Sequence, residues 1–412
     1  MTESTVALLE GVRVIESSLL EPGALGMHLA ELGAEVIKVE APGEGDYIRR
    51  LAWPFIEGVS ILHWHVNRGK RSIALDLRQP EGVDVYKDLV RSADVVIEGM
   101  RPGALARRGL SYESMCEVNP AIVFCTLSGF GLTGPYRDLP SHGIAFDSFS
   151  GHAPPEIDER GFTTIGPHST IGTKAGPLYG ALGVLAAVIR ARSSGQGTWL
   201  EVAQTDAAAA VNWLKIEGEQ AYRRPEPEVT GNPSDGGIRR PPGATGMREG
   251  VRYQYYESAN GHILFMASER AFWKNFCEGV GRADLFDQHP GSEYADHALG
   301  NLELRRELKA IFVSRTTAEW VDFGVEVNTP IVPVNSPESI VDDPQFQERM
   351  AFYPASELGT ELMPSPIKVV DGELPMPTRA PTLGQHADEI LRDVLGYDAA
   401  RVDALRNAGT LG

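Results

Sequence analysis

The segment Asn67-Arg68-Gly69-Lys70-Arg71-Ser72-Ile73-Ala74-Leu75-Asp76 places three cations and a glycine directly before a short apolar run. A mobile ammonium at Lys70 and a forked guanidinium at Arg71 are donors suited to phosphate oxygens. The whole chain, 412 residues long, carries 56 acids against 38 bases, a net charge of −18. A polyanionic ligand meets such a molecule only where cations are gathered locally, and this segment gathers them. The same imbalance argues against nucleic acid as the main partner.

Other candidate motifs point away from common chemistries. Gly129-Phe130-Gly131-Leu132-Thr133-Gly134 fits GxGxxG and follows an apolar run. A dinucleotide fingerprint needs a helix to open there, but Pro135 and Tyr136 follow, then Arg137-Asp138-Leu139-Pro140. The segment therefore reads as a structured turn, and NAD is not expected. His63 and His65 lie two apart, but no further ligands complete a metal set, so no metal is expected. No GxSxG elbow suggests a serine hydrolase. The three cysteines, Cys116, Cys125 and Cys277, form no CxxC pair, which suits a reducing, cytoplasmic compartment.

These residues need a scaffold. Val12–Ile15, Glu35–Val39, Ile73–Leu75, Val95–Ile97 and Ile122–Thr126 read as strands. Gly23–Leu32 and Glu81–Arg91, lying between them, read as helices. Such alternation predicts an α/β fold, a Rossmann-like parallel sheet with helices on both faces. Gly176–Arg192 is a further helix, with Leu178, Leu182, Leu185 and Ile189 near helical spacing, and Asp206–Tyr222 is another. The apolar part of the first, Leu178–Ile189, is short for a bilayer span, and no membrane partner is expected. Met1–Leu9 shows no signal-peptide pattern.

Arg224–Gly250 has loop composition. A hairpin follows: Val251–Ser258, the Asn260-Gly261 turn, and His262–Ala267. Residues 1–223 are thus read as a large domain and 224–327 as a smaller α+β domain. Residues 328–412, with strands near Val332 and Ile367 and a helix over Gln385–Leu395, are expected to rejoin the large domain.

In this order, the segments resemble the family III CoA-transferases, the group of formyl-CoA transferase and carnitine CoA-transferase, whose superfamily includes the 2-methylacyl-CoA racemases. The resemblance rests on Leu9–Glu16, Leu32–Glu40, Asn67–Asp76, Ala93–Gly99 with Arg101–Leu105, Gly129–Tyr136 and Ala380–His386. It implies coenzyme A or an acyl-CoA as substrate, a carboxylic acid as acceptor, and an interlocked homodimer. Lys70, Arg71 and Arg107 are then expected on the CoA phosphates, with Arg49 and Arg50 as weaker candidates. Gly99 and Met100 are expected beside the adenine, where the family often has Asn-Phe.

The resemblance also implies a nucleophilic aspartate ten residues before a Gly-Ile-Leu-Ala-Ala-Leu segment. That segment corresponds to Gly183–Val188, and ten residues earlier stands Thr173. A hydroxyl cannot form an acyl anhydride. His142, in Pro140-Ser141-His142-Gly143-Ile144-Ala145-Phe146, resembles the histidine base of the racemases, a role suited to imidazole. Asp147, Glu156 and His168 are the nearby groups that could substitute for the missing acid. Three readings stay open: a transferase with an altered nucleophile or an acid-bearing partner subunit, a racemase working through His142, and a noncatalytic acyl-CoA scaffold. Phe130, Tyr136, Phe146 and Phe149 are candidates for an apolar acyl pocket.

Overall fold

A computed structural model of the chain describes residues 4–229, 247–292 and 295–412. Most of the expected Arg224–Gly250 loop lies outside these residues. The chain forms two compact units, Met1–Ile216 with Met350–Gly412, and Glu217–Arg349.

The large unit is built on six strands: β1 (Arg13–Ser18), β2 (Glu35–Glu40), β3 (Lys70–Ala74), β4 (Val95–Gly99), β5 (Val123–Ser128) and β6 (Thr198–Ala203). All pair in parallel, in the order β3-β2-β1-β4-β5-β6. This is the doubly wound arrangement expected of a Rossmann-like sheet. Side chains alternate between two buried faces. Val14, Val36, Val95 and Val123 meet helices α1 (Ala24–Glu31) and α6 (Gly172–Ser194). Ile15, Ile37, Val96 and Phe124 meet α3 (Pro80–Arg91) and the C-terminal residues Ile390, Leu391, Val402 and Leu405. The chain's end thus completes a core begun by its start. Short elements complete the connections: α2 (Ile61–Asn67), α4 (Tyr112–Val118) and α5 (Ala145–Phe149).

Helix α6 differs from its sequence reading. It is longer than Gly176–Arg192, and its small residues Gly180, Ala181, Val184, Ala187 and Ala191 face inward. Leu178, Leu182 and Ile189, whose spacing marked the helix, are largely exposed. Small side chains let the helix lie close on the sheet, so the bulky stripe faces away. By length and composition α6 could cross a bilayer, yet just over half of that stretch is buried in this unit. Beyond β6 the expected Asp206–Tyr222 helix is two, α7 (Gln204–Val211) and α8 (Trp213–Tyr222).

The smaller unit holds the predicted hairpin as β7 (Tyr253–Glu257) and β8 (His262–Met266). Strand β9 (Ile331–Pro333) pairs antiparallel with β8. The strand near Val332 therefore belongs to this unit rather than to the return segment, and the boundary falls at 349/350 instead of 327/328. No strand forms at Ile367. Packed aromatics fill this unit's core, with Phe276 stacked on Trp273 and Phe312 meeting Trp320 edge to face.

Candidate active site

In doubly wound sheets, ligands bind beyond the carboxyl ends of the strands, where the strand order reverses. Here the reversal lies between β1 and β4, whose ends are level, Ser18 opposite Gly99. A cleft of about 530 Å³ opens there, a size suited to a small-molecule site. Its walls come from the loops after β1, β4 and β5 and from the first turns of α6 and α7.

The loop after β4 brings Gly99, Met100, Arg101 and Arg107 to the cleft. Glu98 pins this loop, accepting a 2.8 Å hydrogen bond from the Leu105 N–H. Burial pushes the Glu98 carboxyl up, opposed by this bond. Gly99 has a steric reason: a Cβ there would approach the Cβ atoms of Ser18 at 2.7 Å and Pro22 at 2.8 Å. A larger residue at this position would push β1 and its following turn apart.

The loop after β5 supplies Gly129, Phe130, Arg137, Ser141 and His142. No helix opens after Gly134. The Ser128 hydroxyl instead accepts from the Gly131 N–H at 2.9 Å, closing a turn. Phe130, Tyr136 and Phe149 stack edge to face. Phe130 and Phe146 line the cleft.

Thr173, 3% exposed, sits in the first turn of α6 and lines the cleft together with His142. Helix N-termini favour negative charge. Asp147 is fully buried and does not line the cleft. Its Oδ1 accepts from the N–H groups of Ile171 at 2.7 Å and Gly172 at 3.3 Å. It is a positioning residue for the turn bearing Thr173. Asp147→Ala is expected to cost about 1–2 kcal/mol, the range of a lost helix cap. Urea unfolding checks this, and an unchanged midpoint would remove the role. Glu156 and His168 are exposed and outside the cleft.

Lys70 and Arg71 need correction as phosphate ligands. Lys70 is 1% exposed, and its ammonium contacts Glu16 Oε2 at 2.8 Å and the Gly23 carbonyl at 2.7 Å. Arg71 pairs with Glu35 at 2.7 Å, and Glu35 begins β2, at the amino end of the strands, away from the cleft. Lys70 and Arg71 open β3, so they sit at the amino end of the sheet, whereas the cleft lies at the carboxyl end. Arg49 is occupied by Glu40 at 2.6 Å. His63 is held by Pro381 and Asn67, and burial lowers its pKa to about 4. Among the described residues, no group of three or more His, Cys, Asp or Glu could hold a metal.

Two cleft residues were missed in the sequence. Gln204 begins α7 and is 4% exposed, and its Oε1 finds no hydrogen-bond partner in the protein. Buried polar atoms are normally satisfied, so a ligand group is its natural partner. Glu21 follows β1 in a 3-10 turn and is half-buried. Burial raises its carboxyl's pKa, while nearby His142 and Lys174 act to lower it. The sequence signal available for Glu21 was its place just after a parallel strand.

With this geometry in view, comparison with known proteins is decisive. The family model for CoA-transferase family III matches residues 9–387. The chain belongs to this family. It is 30% identical to a succinate–glutarate CoA-transferase of Agrobacterium fabrum, over 94% of this chain and 95% of that protein. It is 28% identical to the human succinyl-CoA:glutarate CoA-transferase, over 98% and 90%. It is 27% identical to a succinyl-CoA–L-malate CoA-transferase beta subunit of Chloroflexus aurantiacus, over 98% of each. A crystal structure of a CaiB/BaiF family protein from Brucella suis matches with TM-score 0.73 and 26% identity, over 95% of this chain and all of that one. The chain is thus a family III CoA-transferase, an enzyme class that takes CoA thioesters as substrates.

Proposed function

We propose that this family III CoA-transferase moves CoA between an acyl-CoA and a small carboxylic acid in the cleft beyond β1 and β4. The observation that carries the reading is the convergence of Arg107, His142, Thr173 and Gln204 on one cleft at the sheet's reversal point. Arg101 and Arg107 receive the phosphates of the nucleotide end. Gly99 and Met100 border the adenine. The Gln204 amide oxygen accepts from a pantetheine N–H. Thr173, standing where the family's acid is expected, donates its hydroxyl to the thioester region, and the α6 N-terminus favours the charge that develops there.

The names of the relatives support dicarboxylic acids as partners: succinate or its thioester appears in all three, glutarate in two and malate in one. Arg137 at the cleft wall is placed to hold a distal carboxylate. A homodimer is supported by the exposed stripe of Leu178, Leu182 and Ile189 on α6, since large apolar patches mark interfaces. A paired subunit remains the second assembly, supported by the beta-subunit relative. The three free cysteines suit a reducing compartment such as the cytoplasm.

The test incubates the purified protein with succinyl-CoA and glutarate and follows glutaryl-CoA by mass spectrometry. Formation of glutaryl-CoA by this chain alone is the expected result. Deuterium uptake at Cα of a 2-methylacyl-CoA without any CoA transfer would favour a racemase working through His142. Saturable CoA binding with neither reaction would favour a scaffold.

A further inference from the structure

The transferase reading leaves a chemical gap: CoA transfer through an enzyme-bound acyl group needs a carboxylate, and Thr173 is not one. Asp147 is turned into the protein, and Glu156 is outside the cleft. The acids that do line the cleft are Glu21 and Asp138. Asp138 is 83% exposed at its side chain and paired with neighbouring Arg137, so water competes for it.

Glu21 is placed with more care. It follows Leu20, whose φ of 64° and ψ of −148° lie in a region that almost only glycine adopts. The surroundings impose this conformation. The Leu20 N–H donates to both oxygens of Asp46 at 3.2 Å, and Asp46 is itself held by Lys38 at 3.0 Å. Both ionic groups are shielded from solvent. The next residues form the 3-10 turn Glu21–Gly23, packed against α6. The Gly23 carbonyl of this turn accepts from Lys70 at 2.7 Å. A strained residue with a buried charged support on either side therefore presents Glu21 to the cleft that also contains Thr173 and His142. Strain of this kind accumulates where function needs a fixed side chain.

We infer that Glu21 is the carboxylate nucleophile of this enzyme, supplied from the end of β1 instead of from the start of α6. The inference rests on the transferase reading. A Glu21 oxygen attacks the thioester carbonyl carbon, the C–S bond breaks, and CoA leaves as thiolate with the electron pair. The product is a mixed acyl-glutamyl anhydride. The thiolate then attacks the side-chain carbonyl carbon of Glu21, and the donor acid departs as its carboxylate, leaving a glutamyl-CoA thioester. The acceptor carboxylate attacks that carbonyl and displaces the thiolate, which attacks the acceptor's acyl carbon. New acyl-CoA forms and the Glu21 carboxylate returns. No proton or electron is gained or lost overall. The Thr173 hydroxyl stands where it can donate to the oxyanion of each addition. Burial raises the Glu21 pKa, His142 and Lys174 oppose that and favour the ionised nucleophile, and Tyr47 also lies within its electrostatic reach.

The experiment treats wild-type protein with succinyl-CoA, quenches with hydroxylamine and maps the hydroxamate by peptide mass spectrometry. The expected label is on Glu21. In parallel, Glu21→Gln is expected to lower succinyl-CoA-to-glutarate transfer by about a thousandfold or more, with Glu21→Asp retaining part of the rate. The label on the wild type needs no variant to fold. A label on Asp147, Asp138 or another residue overturns the assignment. So does transfer by Glu21→Gln at nearly the wild-type rate, with the transferase reading left standing. Wild type that forms neither a label nor glutaryl-CoA overturns both.

Discussion

Glu16→Gln is expected to destabilise the large unit by about 3–5 kcal/mol, the loss typical of breaking a buried ion pair. Glu16 lies on β1 and meets two ammonium groups. Lys38 is 3.1 Å from its Oε1, and Lys70 is 2.8 Å from its Oε2. All three side chains are closed to solvent. Burial alone would push the Glu16 carboxyl up, but Lys70 and then Lys38 bring it below its ordinary value. With Asp46 the cluster holds two acids and two bases, so a neutral amide at position 16 leaves an uncompensated cation in the interior. The space for this carboxylate is built in: a Cβ at Gly26 would collide with Glu16 Oε2.

The defect has a pH signature. Burial lowers the Lys70 pKa from 10.5 to about 8, against the pull of Glu16. The unfolded chain therefore holds this proton more tightly than the folded one between about pH 8 and 10.5, and the Lys70 contribution to stability rises with pH across that window. In Glu16→Gln the ammonium loses its main counter-charge, so the destabilisation is expected to shrink as pH rises. Urea unfolding of both proteins at neutral and alkaline pH measures this. A loss below about 1 kcal/mol at neutral pH would mean that the cluster is not a support. The same cluster holds the Leu20 turn, so a folded remnant of this variant is also expected to transfer CoA poorly.

The second large effect concerns ligand affinity. Arg101→Ala combined with Arg107→Ala is expected to weaken CoA binding roughly thirtyfold, as two charge-assisted phosphate contacts on an exposed rim would. The loss is expected to fade at high salt, because exposed charges are screened. Calorimetric titration with CoA at two salt concentrations reads both effects. Unchanged affinity would move the nucleotide end elsewhere. Lys70→Ala makes an instructive contrast. Its ammonium is inside the protein, so a defect there is expected to appear first as lost stability.

The order of strands and helices in the first half was legible in the sequence, since short apolar runs and helical spacing are local signals. The Asn260-Gly261 hairpin was legible for the same reason. The family was legible from several short segments in a fixed order. Thr173, His142, Arg107, Gly99 and Met100 were named from that resemblance, and the structure brings all five to one cleft.

Other features depended on pairings between distant segments. Whether a cation near a strand faces a ligand depends on which end of the sheet it occupies. Lys70 and Arg71 are the first two residues of β3, and parallel pairing directs that end away from the cleft. Which stripe of α6 turns inward depends on what it packs against, and close packing on the sheet selected the glycines and alanines over the leucines. Val332 joined the smaller unit because β8 offered it a free edge. Glu21 carries no local signal beyond its place before Pro22-Gly23. The reversal of strand order between β1 and β4 made the end of β1 a wall of the site, and the buried Lys38–Asp46 pair fixed the turn that presents it. Composition and periodicity report what a segment is, whereas the register of a parallel sheet is set by contacts dozens of residues apart, and it is that register which decided where the chemistry could gather.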